Sequence, residues 1–133
     1  MTSTHGGCLC GRTRYVHDPD GVLWRLHCHC ESCRRATSSP LTTFFAVRDS
    51  AWRWLTRPPK AYASSPGVTR SFCPDCGSPL TYATDEHPDE THFHAMTLDD
   101  TAGLAPEGHD FWPERVAWLS VDDRLPKTGT GSG

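Results

Sequence analysis

The sequence predicts a small, mainly β protein. Its apolar residues recur in short stretches, and few windows keep a helical period long enough to support an α-helix. Segments such as Pro58-Pro59 and Ser64-Ser65-Pro66-Gly67 separate these stretches. Because proline removes a backbone donor and glycine frees the backbone, such segments favour turns. We therefore expect short strands, with helix limited to short helical turns.

Four segments are predicted as strands. Residues 22–30 alternate so that one face carries Val22, Trp24, Leu26, Cys28 and Cys30, and the other carries Leu23, Arg25, His27 and His29. A strand here places two thiols on one mostly apolar face. Residues 41–47, 91–96 and 118–121 also show strand-like composition.

The length of 133 residues supports one domain with a modest core, and no segment between residues 6 and 126 is typical of a linker. We expect an N-terminal extension over residues 1–5 and a single domain over 6–126. A disordered tail is expected over 127–133, which consist mostly of glycine, serine and threonine.

Charge and hydropathy exclude two classes of partner. The chain has 13 Lys and Arg against 16 Asp and Glu, a formal net charge of −3, and no basic stripe for nucleic acid. No apolar run approaches the length that spans a bilayer, and the first residues lack a basic segment followed by an apolar one. We expect no membrane partner and a cytoplasmic location. The oligomeric state is not indicated.

Seven cysteines form clusters of two, three and two: Cys8 and Cys10, then Cys28, Cys30 and Cys33, then Cys73 and Cys76. In a reducing compartment, clustered cysteines are more often metal ligands or redox groups than disulfides, and an odd count argues against complete pairing. Four plus three is the ligand count of one closed zinc site and one open one. A redox Cys-x-x-Cys needs a following helix, which Gly77-Ser78-Pro79-Leu80 does not predict.

The central cluster offers three thiols within six residues, so one short segment can occupy three corners of a tetrahedron. His27, His29 or Glu31 could fill the fourth corner and make the site closed. In a strand, however, both histidines point away from the sulfurs. The pattern favours an open site, in which the fourth position is left to water or substrate, and a closed site is the alternative.

The cysteines lie in three segments: Cys8-Leu9-Cys10-Gly11, Cys28-His29-Cys30-Glu31-Ser32-Cys33-Arg34-Arg35 and Phe72-Cys73-Pro74-Asp75-Cys76-Gly77. Together with Thr97-Leu98-Asp99-Asp100, His109 and a tryptophan-containing C-terminal pattern, they resemble the glutathione-dependent formaldehyde-activating enzymes, the family that includes centromere protein V. The resemblance extends over about residues 6–126. The sequence departs from it at Ser38, where glycine is common, and at His94-Ala95-Met96, where relatives often have glycine.

The resemblance implies a zinc-bound β-tent of small antiparallel sheets. It implies a structural zinc on Cys8, Cys10, Cys73 and Cys76, and a catalytic zinc on Cys28, Cys30 and Cys33. Three thiolates make the second site net negative, so its zinc is expected to be loosely held and only partly present. The implied reaction joins the thiol of glutathione, or of another small thiol, to formaldehyde, and its reverse is a carbon–sulfur lyase reaction.

Other residues are candidates for substrate contact. Arg34 and Arg35 follow the third thiol, where a guanidinium could bind a glutathione carboxylate, although a surface ion pair is the alternative. His94 and His109 are candidate proton carriers. The alternative to an enzyme is a zinc-stabilised module that binds or carries a thiol adduct. A B-type methionine sulfoxide reductase is disfavoured because no cysteine follows Cys76.

Overall fold

The computed structural model describes residues 3–131 and consists mainly of β-strands. Within this range there are ten strands: β1 (Thr4–Gly7), β2 (Arg14–His17), β3 (Val22–Cys28), β4 (Thr42–Arg48), β5 (Trp52–Trp54), β6 (Lys60–Ser65), β7 (Val68–Phe72), β8 (Pro79–Thr84), β9 (Glu90–His94) and β10 (His109–Asp110). The α-helix α1 spans Glu31–Thr37. Single 3₁₀ turns occupy Pro19–Gly21, Asp49–Ala51, Ala95–Thr97 and Trp112–Glu114. The prediction of a mainly β fold is confirmed.

The strands form two sheets. One has three strands in the order β1-β2-β5, and the other has seven in the order β10-β3-β4-β9-β8-β7-β6. Neighbouring strands are antiparallel except β10 and β3, which run parallel. In that pair His109 lies opposite His27, and Asp110 lies opposite Cys28. The short strand β10 therefore lies beside the thiol-bearing end of β3.

An aromatic core joins the two sheets. Tyr15, from the small sheet, and Phe45 and Phe93, from the large one, are at most 1% exposed. The ring centroid of Phe93 lies 4.5 Å from that of Tyr15 and 5.5 Å from that of Phe45. Trp52 and Trp54 pack against this cluster. Because aromatic rings bury large apolar areas, this cluster stabilises the contact between the sheets.

Three of the four predicted strands are confirmed, as β3, β4 and β9, with β3 ending at Cys28 rather than continuing to Cys30. The prediction of a strand over residues 118–121 is wrong. The backbone turns there, with the N–H of Leu119 donating to the carbonyl of Val116, and Trp118 is 77% exposed. The outer edge of β10 is taken by Lys127, which forms an isolated β-bridge with His109.

The first and last described residues are packed onto the sheets. Thr4 and His5 belong to β1, where they lie opposite His17 and Val16. The N–H of Thr128 donates to the carbonyl of His109 at 2.8 Å. The predicted disordered tail includes residues 132–133, which lie outside the described residues. Across residues 3–131, no helix has the length and apolar character that a bilayer crossing requires.

Candidate metal centres

The sulfurs of Cys8, Cys10, Cys73 and Cys76 lie within 4.8 Å of one another and define the four-sulfur site. Sγ of Cys10 lies 3.5 Å from Sγ of Cys8 and 3.8 Å from Sγ of Cys73. Zn–S bonds of about 2.3 Å place the ligands of a tetrahedral zinc about 3.8 Å apart. The donor set and its spacing therefore fit zinc.

Two glycine turns shape this site. Gly77 has a φ of 79°, and its N–H donates to the carbonyl of Cys73 at 2.8 Å. Gly11 has a φ of 81°, and its N–H donates to the carbonyl of Cys8 at 3.2 Å. Glycine adopts this left-handed conformation without the steric cost that a Cβ brings. The turns reverse the backbone after each cysteine pair and direct the sulfurs to one point.

Electrostatics at the four-sulfur site also favour a cation. Hydrogen bonds from the hydroxyl and backbone N–H of Ser78 lower the pKa of Cys76 to about 5. The backbone N–H of Arg12 also acts to lower the pKa of Cys10, but burial and the neighbouring thiols together raise it to about 12. The thiolate of Cys76 thus forms readily, while that of Cys10 is opposed by the neighbouring sulfurs. A divalent ion would remove this repulsion.

Cys28, Cys30 and Cys33 form the triplet site, in which the three sulfurs also lie within 4.8 Å of one another. Cys28 ends β3, and Cys30 is the N-cap of α1, where its Sγ accepts the N–H of Cys33 at 3.3 Å. Cys33 lies in the first turn of the helix and is 4% exposed. The change from strand to helix within six residues brings the three thiols together.

Charge at the triplet site is shared unequally. Hydrogen bonds from the thiols of Cys28 and Cys33 lower the pKa of Cys30 to about 2. Contacts with the sulfurs of Cys30 and Cys33 raise the pKa of Cys28 far above the usual thiol value. The metal-free triplet therefore favours one thiolate and opposes a second. Three thiolates at this spacing require a cation, which fits a bound zinc.

The candidate fourth ligands lie away from the triplet. Among residues 3–131, no histidine or carboxylate joins the three sulfurs within 4.8 Å. His27 hydrogen-bonds to Thr43, and His29 hydrogen-bonds to His109. The carboxylate of Glu31 accepts from Arg35. This arrangement favours the open form of the site over the closed one.

The three thiols line a cavity of about 620 Å³, which we call the thiol cavity. Arg70, on β7, also lines it and is only 5% exposed. Nη2 of Arg70 donates to Oγ of Ser32 at 3.0 Å and lies 3.7 Å from Sγ of Cys33. Its Nη1 is buried and has no hydrogen-bond partner among residues 3–131. A buried guanidinium with an unused donor is suited to an anionic ligand.

The predicted substrate arginines lie elsewhere. Nε of Arg34 donates to the carbonyl of His29 at 3.2 Å, and Nε of Arg35 donates to Glu31 at 3.1 Å on an exposed face. Neither residue lines the thiol cavity.

The sequence did not reveal Arg70, whose only signal is its position three residues before Cys73. Nothing in the sequence indicates that its side chain faces Cys33.

Tyr82 is a further cavity residue that the sequence did not identify. Its ring lies 4.9 Å from the guanidinium carbon of Arg70, and burial raises the pKa of its hydroxyl. The hydroxyl is therefore protonated at neutral pH and can donate a hydrogen bond. The predicted proton carriers are not in this cavity: His94 lines other clefts, and His109 is fully buried.

Comparisons with known proteins agree with this geometry. The family model described as glutathione-dependent formaldehyde-activating enzyme matches residues 3–114. A curated protein of Schizosaccharomyces pombe, described as an uncharacterized lyase, is 33% identical over 86 residues, which cover 62% of this chain and 59% of that protein. The chain thus spans about three fifths of the length of that relative.

A solved structure supports the fold. The crystal structure of a Rhodobacter sphaeroides protein matches with a TM-score of 0.60 at 22% identity. The match covers 77% of this chain and 91% of that one. At this identity the similarity concerns the fold alone.

Proposed function

The chain belongs to the family of glutathione-dependent formaldehyde-activating enzymes, and we propose that it is a zinc-dependent carbon–sulfur lyase of small thiol–aldehyde adducts. The observation that carries the proposal is the thiol cavity, whose lining includes the three thiols and the buried guanidinium of Arg70. The lyase description of the yeast relative supports the same reaction class. S-(hydroxymethyl)glutathione is the adduct that family membership indicates.

In this proposal, the two cysteine groups have different tasks. Cys8, Cys10, Cys73 and Cys76 would hold a structural zinc that joins segments far apart in the chain. Cys28, Cys30 and Cys33 would hold a second zinc with an open position. Bound there, the ion would supply Lewis acidity and favour the thiolate form of an incoming thiol.

Arg70 is proposed to bind the anionic part of the substrate. Glutathione carries two carboxylates, and within residues 3–131 no carboxylate forms an ion pair with Arg70. Its unused Nη1 could therefore donate to a substrate carboxylate or to the hydroxymethyl oxygen. Burial strengthens such a charge-assisted hydrogen bond.

The reaction requires one proton to change place. In the synthetic direction, the thiol sulfur bonds to the formaldehyde carbon, the carbon–oxygen π bond opens, and the proton lost by the thiol ends on the new hydroxyl. In the lyase direction, the carbon–sulfur bond breaks and the hydroxyl proton returns to the thiol. The protonated hydroxyl of Tyr82 is the cavity group suited to donate a hydrogen bond to that oxygen.

The test is turnover measured against the spontaneous reaction, since thiols add to formaldehyde unaided. Zinc-loaded protein is mixed with glutathione and formaldehyde, and exchange between free and bound formaldehyde is followed by NMR. We expect a rate above that of buffer, proportional to protein concentration and extending over many turnovers. Uptake that stops at one adduct per chain would instead support a carrier.

A matched variant identifies the site. Cys30→Ser should lose the catalysed rate and the triplet zinc while it keeps the zinc of the four-sulfur site. Arg35→Gln changes an exposed residue near the triplet and should leave the rate unchanged. If Cys30→Ser binds as much zinc and works as well as the unmodified protein, the catalytic assignment to the triplet is wrong.

A further inference from the structure

Two histidines lie side by side on the face of β3 and β10 that is opposite Cys28. His27 and His109 are direct partners in the parallel pair, and their ring centroids are 4.8 Å apart. Successive side chains in a strand point to opposite faces, so these imidazoles are separated from the thiol cavity by the sheet itself. Their juxtaposition is fixed by backbone pairing.

A carboxylate faces both rings. Oδ2 of Asp123 lies 2.8 Å from Nε2 of His109 and 3.9 Å from Nε2 of His27. Oδ1 of Asp123 accepts the N–H of Leu125 at 3.1 Å, which fixes the orientation of the carboxylate. The distance of 3.9 Å is too long for a hydrogen bond, so hydrogen bonding explains the approach of His109 but not that of His27.

The far side of each ring is also engaged. Nδ1 of His27 hydrogen-bonds to Oγ1 of Thr43 at 2.8 Å, and Nδ1 of His109 hydrogen-bonds to Nε2 of His29 at 2.8 Å. His29 and His109 are 1% and 0% exposed. Histidines that bind metals usually use one ring nitrogen as ligand and hydrogen-bond through the other, which fixes the tautomer and the ring orientation. Both rings here meet that requirement, with Nε2 towards the carboxylate.

We propose that His27, His109 and Asp123 bind a divalent first-row transition ion, with Zn²⁺ as the reference ion, at a site separate from all seven cysteines. The three ligand atoms lie within 4.8 Å of one another. An ion about 2.0–2.2 Å from nitrogen and oxygen ligands would lie between them after small side-chain movements. Two imidazoles and one carboxylate suit zinc, cobalt, nickel or iron rather than magnesium or calcium.

The positions of the three ligands determine how an ion would reach the site and which parts of the chain it would link. The side chains of His27 and Asp123 are 20% and 29% exposed, so an ion can enter from solvent. Asp123 lies in an irregular part of the chain, whereas His27 lies in β3, 96 positions earlier (123 − 27). A bound ion would tie the C-terminal segment to the sheet, and solvent would complete its coordination.

The experiment follows the imidazole nitrogens directly. Protein whose cysteines are already loaded with zinc is titrated with further Zn²⁺, and the ¹⁵N shifts of the histidine rings are recorded. We expect saturable shifts of Nε2 in His27 and His109, and no comparable shift with Mg²⁺. Asp123→Asn retains an oxygen for the N–H of Leu125 but loses the charge, and should weaken binding about tenfold or more.

Asp122→Asn is the matched control, since it removes the same charge from an exposed neighbour and should leave the affinity unchanged. His27→Gln gives a second variant at a partly exposed position and should abolish the shift of His109. The proposal is overturned if the two rings do not respond to excess zinc, or if Asp123→Asn binds zinc as tightly as Asp122→Asn. Either result would have no bearing on the reaction proposed for the triplet site.

Discussion

Nη2 of Arg70, on β7, lies 3.7 Å from Sγ of Cys33, in the first turn of α1. The two residues are 37 positions apart, and their contact places a buried positive charge beside three thiols that oppose one another's ionisation. The guanidinium would therefore offset the negative charge that the triplet would accumulate on binding a metal ion.

Replacing Arg70 should weaken both zinc and substrate binding. Arg70→Gln keeps a polar side chain but removes the charge beside Cys33 and the donor to Ser32. We expect the triplet to lose about tenfold or more in zinc affinity, measured by competition with a chromophoric chelator. The KM for glutathione should rise more than that for its carboxylate esters. Arg34→Gln, which lies outside the thiol cavity, is the control, and equal effects of the two variants would contradict the role of Arg70.

A substitution in the four-sulfur site should lower the stability of the fold more than a substitution in the triplet site. Cys73→Ser breaks a site that joins distant segments, so we expect a lower melting temperature and loss of cooperative unfolding. Cys30→Ser affects one local segment and should leave a cooperative transition. Calorimetry of both variants, with zinc counted by native mass spectrometry, checks this. Equal destabilisation by the two substitutions would refute the division into structural and catalytic sites.

Ser38 should be replaceable by glycine with a gain in stability. It caps α1 with a φ of 56°, the left-handed region in which a Cβ is unfavourable, and its side chain is exposed. Ser38→Gly is expected to raise the free energy of unfolding by about 0.5–1 kcal/mol. Ser39→Gly is the control and should destabilise, since Oγ of Ser39 donates to the carbonyl of Leu41 at 2.7 Å. Chemical denaturation of both variants measures the difference.

Stability should fall on acidification because His94 is buried. Burial lowers the pKa of His94 to about 4, against about 6.5 in the unfolded chain. Between these values the unfolded state binds more protons, so this contribution is full above about pH 6.5 and is lost as pH falls towards 4. The loss from pH 7.5 to pH 5 should be about 2 kcal/mol.

The variant His94→Gln isolates this contribution. In the unmodified protein the ring of His94 contacts Phe44. Glutamine has no ionisable group, so it stays neutral between pH 4 and pH 7.5. Urea unfolding at several pH values should show a weaker pH dependence in the variant than in the unmodified protein, with the other acid-labile groups common to both. If the free energy of unfolding changed equally with pH in both proteins, His94 would not be the source of the pH dependence.

Much of the fold and of the site follows from local sequence. The alternation over residues 22–30 predicts β3 and correctly separates the faces of Cys28 and His27, because strand geometry sets which neighbours share a face. The prediction of a strand over residues 118–121 is wrong because strand formation also depends on features outside the segment. Whether a strand forms depends on a free edge with which to pair, and local composition contains no information on the edges available.

The departures of the sequence from the family pattern have a partial structural explanation. Ser38 stands where glycine is common, and the structure puts it in the left-handed region that glycine tolerates best. At the second departure, His94 ends β9 and Ala95 begins a 3₁₀ turn. Nothing in the structure explains why the residues at this second position differ from glycine.

The sequence by itself identified the triplet, because three cysteines within six residues can reach one ion once the backbone between them turns. It also determined the glycine turn after Cys76, since a local turn depends on local backbone freedom. Only the tertiary structure decided that Arg70 faces Cys33 and that Asp123 faces His27 and His109. Such contacts depend on strand order and register, which are set by the burial of the whole core and not by any one segment.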